Sequence, residues 1–326
     1  MPARARADSH MASGQHELTL TTSGGTVRAV IAQAGAAIRR LSVDGVEITV
    51  GLDDDAPPPF FCGAVLVPWP NRVRDGRWVQ DGRTHQLDIN DGRYRSALHG
   101  LVCETTHQVV SRSGSSITLA APVVPQPGYP FHLHTEVCYR LVAGGLTATH
   151  TVRNLGPDPA PVAIGAHPFL AIGDVPTETL TLTVNGSHHI DVDDRLIPTG
   201  CTAVPGTEWD LRSGRVIADL ELDDAWSVPA ASDGGSVHTL RSPDGRTVSL
   251  WADESFGFVH VFITHQFPRA ERFVTAVALE PMTAPADAFN NGVGLRRLAP
   301  EETLSASWGI GYDDGTRAGT VVGDSV

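Results

Sequence analysis

Positive charge is what this chain has least of. Its 24 Lys and Arg face 37 Asp and Glu, a formal net charge of −13. A nucleic-acid backbone needs a basic footprint and an anionic membrane surface draws basic clusters, so neither is expected as a partner. Long apolar runs are also missing. Nothing approaches the roughly 18 residues that a membrane-spanning helix requires, and the N-terminus lacks the apolar core of a secretory signal. Cysteine is scarce: Cys62, Cys103, Cys138 and Cys201 are widely spaced and form no Cys-x-x-Cys pair, which argues against a zinc site built from them. With no export signal, four reduced, buried thiols in a cytoplasmic protein are expected. Helical periodicity is the last absence. No long segment sustains a 3.6-residue apolar repeat, and 33 Gly and 23 Pro leave little room for long helices.

What fills the chain is alternation. "HELTLTT", "TVSLWAD", "FVHVFIT" and "ETLSASWGIGY" alternate apolar and polar residues with period two, the mark of half-buried strands. Turn signals punctuate them at Asp44-Gly45, Asp81-Gly82, Gly144-Gly145, Asn185-Gly186 and Asp244-Gly245. Phe131 to Leu141 and Leu146 to Asn154 read as a long hairpin. No repeat and no linker divides the chain. The expectation is an all-β protein, a large antiparallel β-sandwich of two sheets packed face to face, formed by one domain over residues 15–315. Residues 1–14, with the tag-like "SHMAS", and 316–326, an expected flexible tail, are set aside. "DDDAPPPF", from Asp53, is the expected exposed loop.

Five polar stretches interrupt the alternation, and such interruptions are where function is sought. They hold Asn71-Arg72, His99-Gly100, His167-Pro168, Asp223-Asp224 and Glu280-Pro281. Glu280 closes the strongly apolar "FVTAVALE", where a carboxylate is costly to bury without partners. An arginine such as Arg72 would satisfy it. A metal has one candidate set: "FHLHTE" puts His132, His134 and Glu136 on one strand face. No second His-rich strand completes it, so an exposed strand face and no metal are expected. His188 and His189 point to opposite faces and form no ligand pair.

Together these stretches, "PWPNR", "DG", "HG", "HPF" and "EPMT" in this order, make the chain similar to the aldose 1-epimerase (galactose mutarotase) family, bacterial branch, over about residues 16–312. The resemblance implies a β-supersandwich open on one face, and exchange of the α and β anomers of a free aldohexose without a cofactor. It implies Glu280 as general base, His167 as general acid and His99 as a second imidazole at the ring oxygen or a neighbouring hydroxyl. It makes Arg72, with Asn71 beside it, the substrate-binding pair. Asp223 holds sugar hydroxyls, with Asp224 next to it as the other choice. The chain departs from the pattern at Leu101, where many relatives have Gly, and at Phe169-Leu170, where many have Tyr and a polar residue. Both changes bear on sugar preference.

The chemistry suits these residue types. Anomer exchange removes a proton from the C1 hydroxyl and adds one to the ring oxygen. A carboxylate with an ordinary pKa of ~4.3 and an imidazole near ~6.5 can do both at neutral pH. Each positioned group contributes roughly 10²–10⁴-fold. Trp69 or Trp226 could offer an apolar face to the sugar, with core packing as the competing account. Arg74 and Arg77 flank the Asp75-Gly76 turn and read as surface residues; inside the pocket they would instead suit a phosphorylated or sulfonated sugar. Two other classes stay open: a glycoside hydrolase or lyase using Asp223 and Glu280 as a carboxylate pair, and a non-catalytic sugar-binding module.

Overall fold

The computed structural model describes residues 14–52, 58–229, 235–269 and 272–316. Almost all of the expected N-terminal tag and C-terminal tail, and residues 53–57 of the proline-rich loop, lie outside that set.

Alternation produces two large antiparallel sheets. One has nine strands in the order Gln108–Arg112, Ser116–Val123, Leu133–Val142, Gly145–Asn154, Thr303–Asp313, Thr247–Asp253, Gly235–Arg241, Thr181–Thr183 and Arg215–Val216. The other has eight. Seven follow the order Pro198–Ala203, His188–Val192, Asp223–Ser227, Phe258–Arg269, Arg272–Met282, Gly165–Ala166 and Val65–Leu66, and Phe169–Leu170 also pairs with Arg272–Met282. A four-stranded sheet, Gln15–Thr22 to Val46–Glu47, precedes them. Among the described residues the only α-helix is Ala288–Asn291, and no helix is long and apolar enough to cross a membrane.

The inner faces share one core. Leu133, Val137, Tyr139, Leu146, Ala148 and Trp308 from the nine-stranded sheet join Val259, Val261, Ile263, Val277 and Leu279 from the eight-stranded sheet in a single buried cluster. Because side chains alternate, the even-numbered residues of those last two strands face away from this core as far as a bulge between Thr264 and Phe267, beyond which Phe267 takes the outer face. Ala276, Ala278, Phe267 and Phe169 make a smaller cluster there with Val50 and Cys62. A polar residue at an even position is thus carried to the outer face without disturbing the inner one.

The expected hairpin forms as Leu133–Val142 and Gly145–Asn154, with Val142 opposite Gly145. Its first strand starts two residues late; Phe131 packs on Tyr129 and Trp78 instead. Asp44-Gly45 and Asp81-Gly82 are tight turns with positive φ at both residues (50° and 81°, 50° and 74°), as two-residue hairpins demand. Asn185-Gly186 is no hairpin. It passes the chain from the nine-stranded to the eight-stranded sheet. Gly186 is needed there for close approach, since a Cβ would lie 2.6 Å from the Trp226 side chain. All four cysteines are free, but the expectation that all are buried fails: Cys138 is half-buried and Cys201 exposed, on the edge strand Pro198–Ala203.

His150 in the core gives a test. Its Nε2 accepts the Trp308 indole N–H at 2.8 Å, and burial pushes its pKa down to about 3. The unfolded chain therefore binds a proton here that the folded chain refuses, and stability falls as pH drops below the ordinary histidine value of ~6.5. By linkage this one residue costs about 2 kcal/mol at pH 5. His150→Gln keeps an acceptor and does not titrate. Denaturant unfolding at pH 7.5 and 5 should show a smaller loss for the variant than for the parent; an equal loss would contradict the assignment.

Candidate functional site

Register assembles the floor of the site. Glu280 lies directly opposite His260 on the neighbouring strand. On its other side, the pairs Gly165↔Met282 and Phe169↔Ala278 bracket His167 against Glu280. One carboxyl group is thus flanked by two imidazoles on the outer face. His167 Nε2 approaches Glu280 Oε1 to 3.2 Å. Glu280 is 1 % exposed, and its second oxygen, Oε2, has no hydrogen-bond partner.

His99 and Arg72 come from two short segments that pin each other. Asn71 (φ 54°) and His99 (φ 65°) are both left-handed, a conformation that side chains with a Cβ seldom adopt. It is held by a reciprocal pair of bonds: His99 N–H donates to the Asn71 carbonyl (3.0 Å) and Asn71 N–H to His99 Nδ1 (3.2 Å). An acceptor role for Nδ1 leaves the ring proton on Nε2 in neutral His99. His99 then packs edge-on against His167, with ring centroids 5.1 Å apart. The Asn71 side-chain oxygen accepts from the Arg72 backbone and guanidinium. Arg72 is further fixed by Asp91 at 3.0 Å, by the Tyr94 ring 4.7 Å beneath its guanidinium carbon, and by Asp223 at 3.9 Å.

Strand parity separates the two adjacent aspartates. Asp223 is opposite Phe262, and Ala225 opposite His260, on the outer face. Asp224 and Trp226 are opposite Val261 and Val259, on the core side. Asp223 accordingly bonds His260 Nε2 at 2.9 Å, while Asp224 bonds His189 at 2.8 Å. A cleft beside this floor is lined by Asn71, Arg72, Asp223 and His260 together with Ile190, Val192, Leu196 and Pro198 of the edge hairpin. The turn of that hairpin is strapped down, with Asp193 on Arg74 and Arg195 forked onto Asp75.

Burial sets the electrostatics. It pushes Glu280 up to about 7, against the pull of His260 and Arg72. It pushes His167 down to about 3, helped by the charge of His260. His99 falls well below the ordinary histidine value for the same reason, with His167, Arg72 and His260 adding to the effect. His260 goes the other way. Burial lowers it, but its bond to Asp223 and the Glu280 and Asp223 charges outweigh that, and its pKa is raised. Burial would raise Asp223, yet His260, Arg72 and His167 hold it below the usual carboxylate range.

A family model described as Aldose 1-epimerase matches residues 17–310. The chain belongs to the aldose 1-epimerase family. A protein of Escherichia coli K12 called uncharacterized protein YihR is 29 % identical over 287 residues, covering 88 % of this chain and 89 % of that one. The galactose mutarotase of Rattus norvegicus is 32 % identical over 163 residues, 47 % of this chain and 46 % of that one. The solved structure of an aldose epimerase homologue from C. elegans superposes with a TM-score of 0.77 at 18 % identity, over 92 % of this chain and 99 % of that one. The fold is thus galactose mutarotase-like.

In this aldose 1-epimerase family member, six of the seven residues singled out from sequence meet in one place: Glu280, His167 and His99 at the floor, Arg72, Asn71 and Asp223 at the wall. Trp226 does not. It is 1 % exposed in the inner core, its indole N–H given to the Trp209 carbonyl. Trp69 is likewise buried, against Phe289. Arg74 and Arg77 line a separate depression with Asp75, Trp78 and Asn290. Phe169, one of the family departures, stacks beneath His167. Of the "FHLHTE" set, His134 bonds Glu136 at 2.8 Å on a half-exposed face. The donor atoms of His99, His167 and Glu280 lie within 4.8 Å of one another, close enough for a divalent ion, although Glu280 Oε1 already faces His167 and His99 Nδ1 serves Asn71. Sequence reasoning missed His260, Asp91 and Tyr94. His260 occupies a polar position that the alternation of "FVHVFIT" allows, so no local signal singled it out.

Gly100 tests the His99 turn. It has φ +79°, and a Cβ would lie 2.3 Å from the Val67 carbonyl oxygen. Gly100→Ala should cost about 2 kcal/mol or more in urea unfolding, since backbone has to move. A loss below about 0.5 kcal/mol, the range of ordinary surface substitutions, would remove the close approach as a constraint.

Proposed function

We propose that the protein is an aldose 1-epimerase acting on a free aldohexose. The observation that carries this reading is Glu280: a buried carboxyl group with one unpartnered oxygen, its pKa pushed up to about 7, flanked by imidazoles and beside a cleft that Arg72, Asp223 and His260 line together with apolar residues. A general base works best when its pKa lies near the working pH. Glu280 takes the proton of the C1 hydroxyl while an imidazole of the floor gives one to the ring oxygen. The C1–ring oxygen bond opens, the C1–C2 bond rotates, and closure on the other carbonyl face returns both protons. His167 is the imidazole that the family resemblance marks, and His99, with its Nε2–H, suits a ring or hydroxyl oxygen. Arg72 and Asn71 bind sugar oxygens from the wall. Asp223, with 31 % of its side chain exposed, reaches them from the mouth. The reaction needs no group beyond these, because orientation and two proton transfers suffice.

An uncharged sugar fits the charge pattern. Arg72 is matched by Asp91 and Asp223, and Arg74 by Asp193. Polarimetry on freshly dissolved α-anomers tests the reading, with neutral, phosphorylated and sulfonated aldoses and an aryl glycoside as the panel. Glu280→Gln keeps the shape and removes the base, so turnover should fall by about 10²-fold or more at unchanged Tm. Full mutarotation by a folded Glu280→Gln protein would remove Glu280 from the reaction, and release of the aryl group would favour a hydrolase.

Exhaustive chelation gives a further expected outcome. Mutarotation should be unchanged after EDTA treatment; loss restored by a divalent ion would assign the His99–His167–Glu280 cluster to a metal.

A further inference from the structure

We propose that His189, clamped between Asp191 and Asp224, is a protonated brace that ties the edge hairpin to the Asp223 strand and so sets the grip of the cleft on its sugar. The proposal rests on the epimerase reading above and adds a positioning residue to it, one that acts on substrate binding and leaves the proton transfers to the floor.

The cleft lies where two strands part. His188–Val192 and Asp223–Ser227 pair at His188↔Ser227 and His189↔Trp226, and the pairing goes no further. Beyond that point Ile190, Val192, Asp223 and Ala225 line the cleft on the outer face. On the core-side face of the same two strands stands His189, 3 % exposed. Its Nε2 meets Asp224 Oδ1 at 2.8 Å, and its Nδ1 meets Asp191 Oδ1 at 3.0 Å. An ionised carboxylate only accepts, so both bonds exist together only when both ring nitrogens carry protons. The Trp209 ring lies flat on the imidazole, with centroids 3.9 Å apart and an angle of 8°, a favourable face for a cation.

Both bonds lead on to the walls of the cleft. Asp224 accepts the Asp223 backbone N–H on its other oxygen at 3.1 Å. Asp191 accepts the Thr202 hydroxyl on its other oxygen at 2.8 Å, from the edge strand Pro198–Ala203. The imidazolium thus joins both strands of the hairpin to the strand of Asp223, in the stretch where backbone pairing has stopped. A neutral ring has a single N–H and keeps only one of the two bonds, which frees the hairpin wall from Asp223. The brace stands on the opposite face of the sheet from Glu280, so proton transfer does not run through it.

The charged groups that act on His189 are Asp191 from its own strand and Asp224 from the neighbouring one. The other elements packed on it present the neutral rings of Trp209 and Trp226, and Thr202 directly opposite. Burial opposes the charge, the two carboxylates outweigh it, and the pKa is raised above the ordinary histidine value. The brace is therefore complete below about 6.5 and is lost as pH rises through the raised value.

The test is KM and kcat against pH, from polarimetry on the parent, His189→Gln and Asp224→Asn, with Tm measured for each. In the parent, KM should rise by about tenfold on the alkaline side, the weight of one charge-assisted hydrogen bond. His189→Gln should carry that raised KM at every pH, with no alkaline rise, and keep kcat within about twofold of the parent. Asp224→Asn should move the rise to lower pH, because the imidazolium loses a counter-charge, and this variant decides the matter should His189→Gln fail to fold. A KM in His189→Gln equal to that of the parent at pH 6 would overturn the proposal. So would a loss confined to kcat, or an alkaline rise that persists in His189→Gln, as titration of His260 would give. Failure of the epimerase reading looks different: the parent would then turn over no aldose. The brace is in that case read from hydrogen exchange in His188–Val192 at pH 6, which should be about tenfold faster in His189→Gln; equal rates would overturn it.

Discussion

Glu280 is a carboxyl group taken out of water in the middle of a β-sheet, and most of the site follows from making that tolerable. A charge buried without partners is costly, and the protein answers with imidazoles on both sides and an arginine within electrostatic reach. The answer is incomplete, which is where chemistry enters. One oxygen stays unpartnered, and the group is left close to balance between its two protonation states. A fully paired carboxylate would be a poor base and a wholly isolated one a permanent acid. The floor sits between these limits.

The two-residue period of the strand makes this compatible with a stable fold. Val277 and Leu279 bind the two large sheets together, and Glu280, one residue on, faces the other way. The same rule sends Asp223 to the cleft and Asp224 with Trp226 to the core side. The wall is built differently. Asn71 and His99 are both in left-handed backbone, and their mutual hydrogen bonds and the crowded Gly100 hold them there. Arg72 is locked by Asp91 and Tyr94, which leaves its side chain little freedom to lose in any further contact.

Much of this was legible in the sequence. Period-two alternation gave the fold class, and the breaks in it marked Asn71-Arg72, His99, His167, Asp223 and Glu280, which the structure brings together. The hairpin turns at Asp44-Gly45 and Asp81-Gly82 formed as read because their positive φ is a local demand. What escaped depended on tertiary context. Asn185-Gly186 looks like a turn, yet its glycine answers to Trp226, 40 residues away. Trp226 could be placed in the cleft or the core only once the register with Val259 was known. His260 interrupts no alternation, since it occupies a legitimate outward position; only its register against Glu280 gives it meaning. Asp91 and Tyr94 act on Arg72 through a loop that no periodicity describes.

A crystal structure of the protein soaked with an unreacted aldohexose tests the central claim most directly. The account predicts a single sugar over the floor, its C1 oxygen within about 2.6–3.2 Å of the Glu280 carboxyl group, its ring oxygen beside an imidazole, and Arg72 on its hydroxyls. A sugar bound in the depression beside Arg74 and Arg77, or in the cleft with C1 turned away from Glu280, would contradict it.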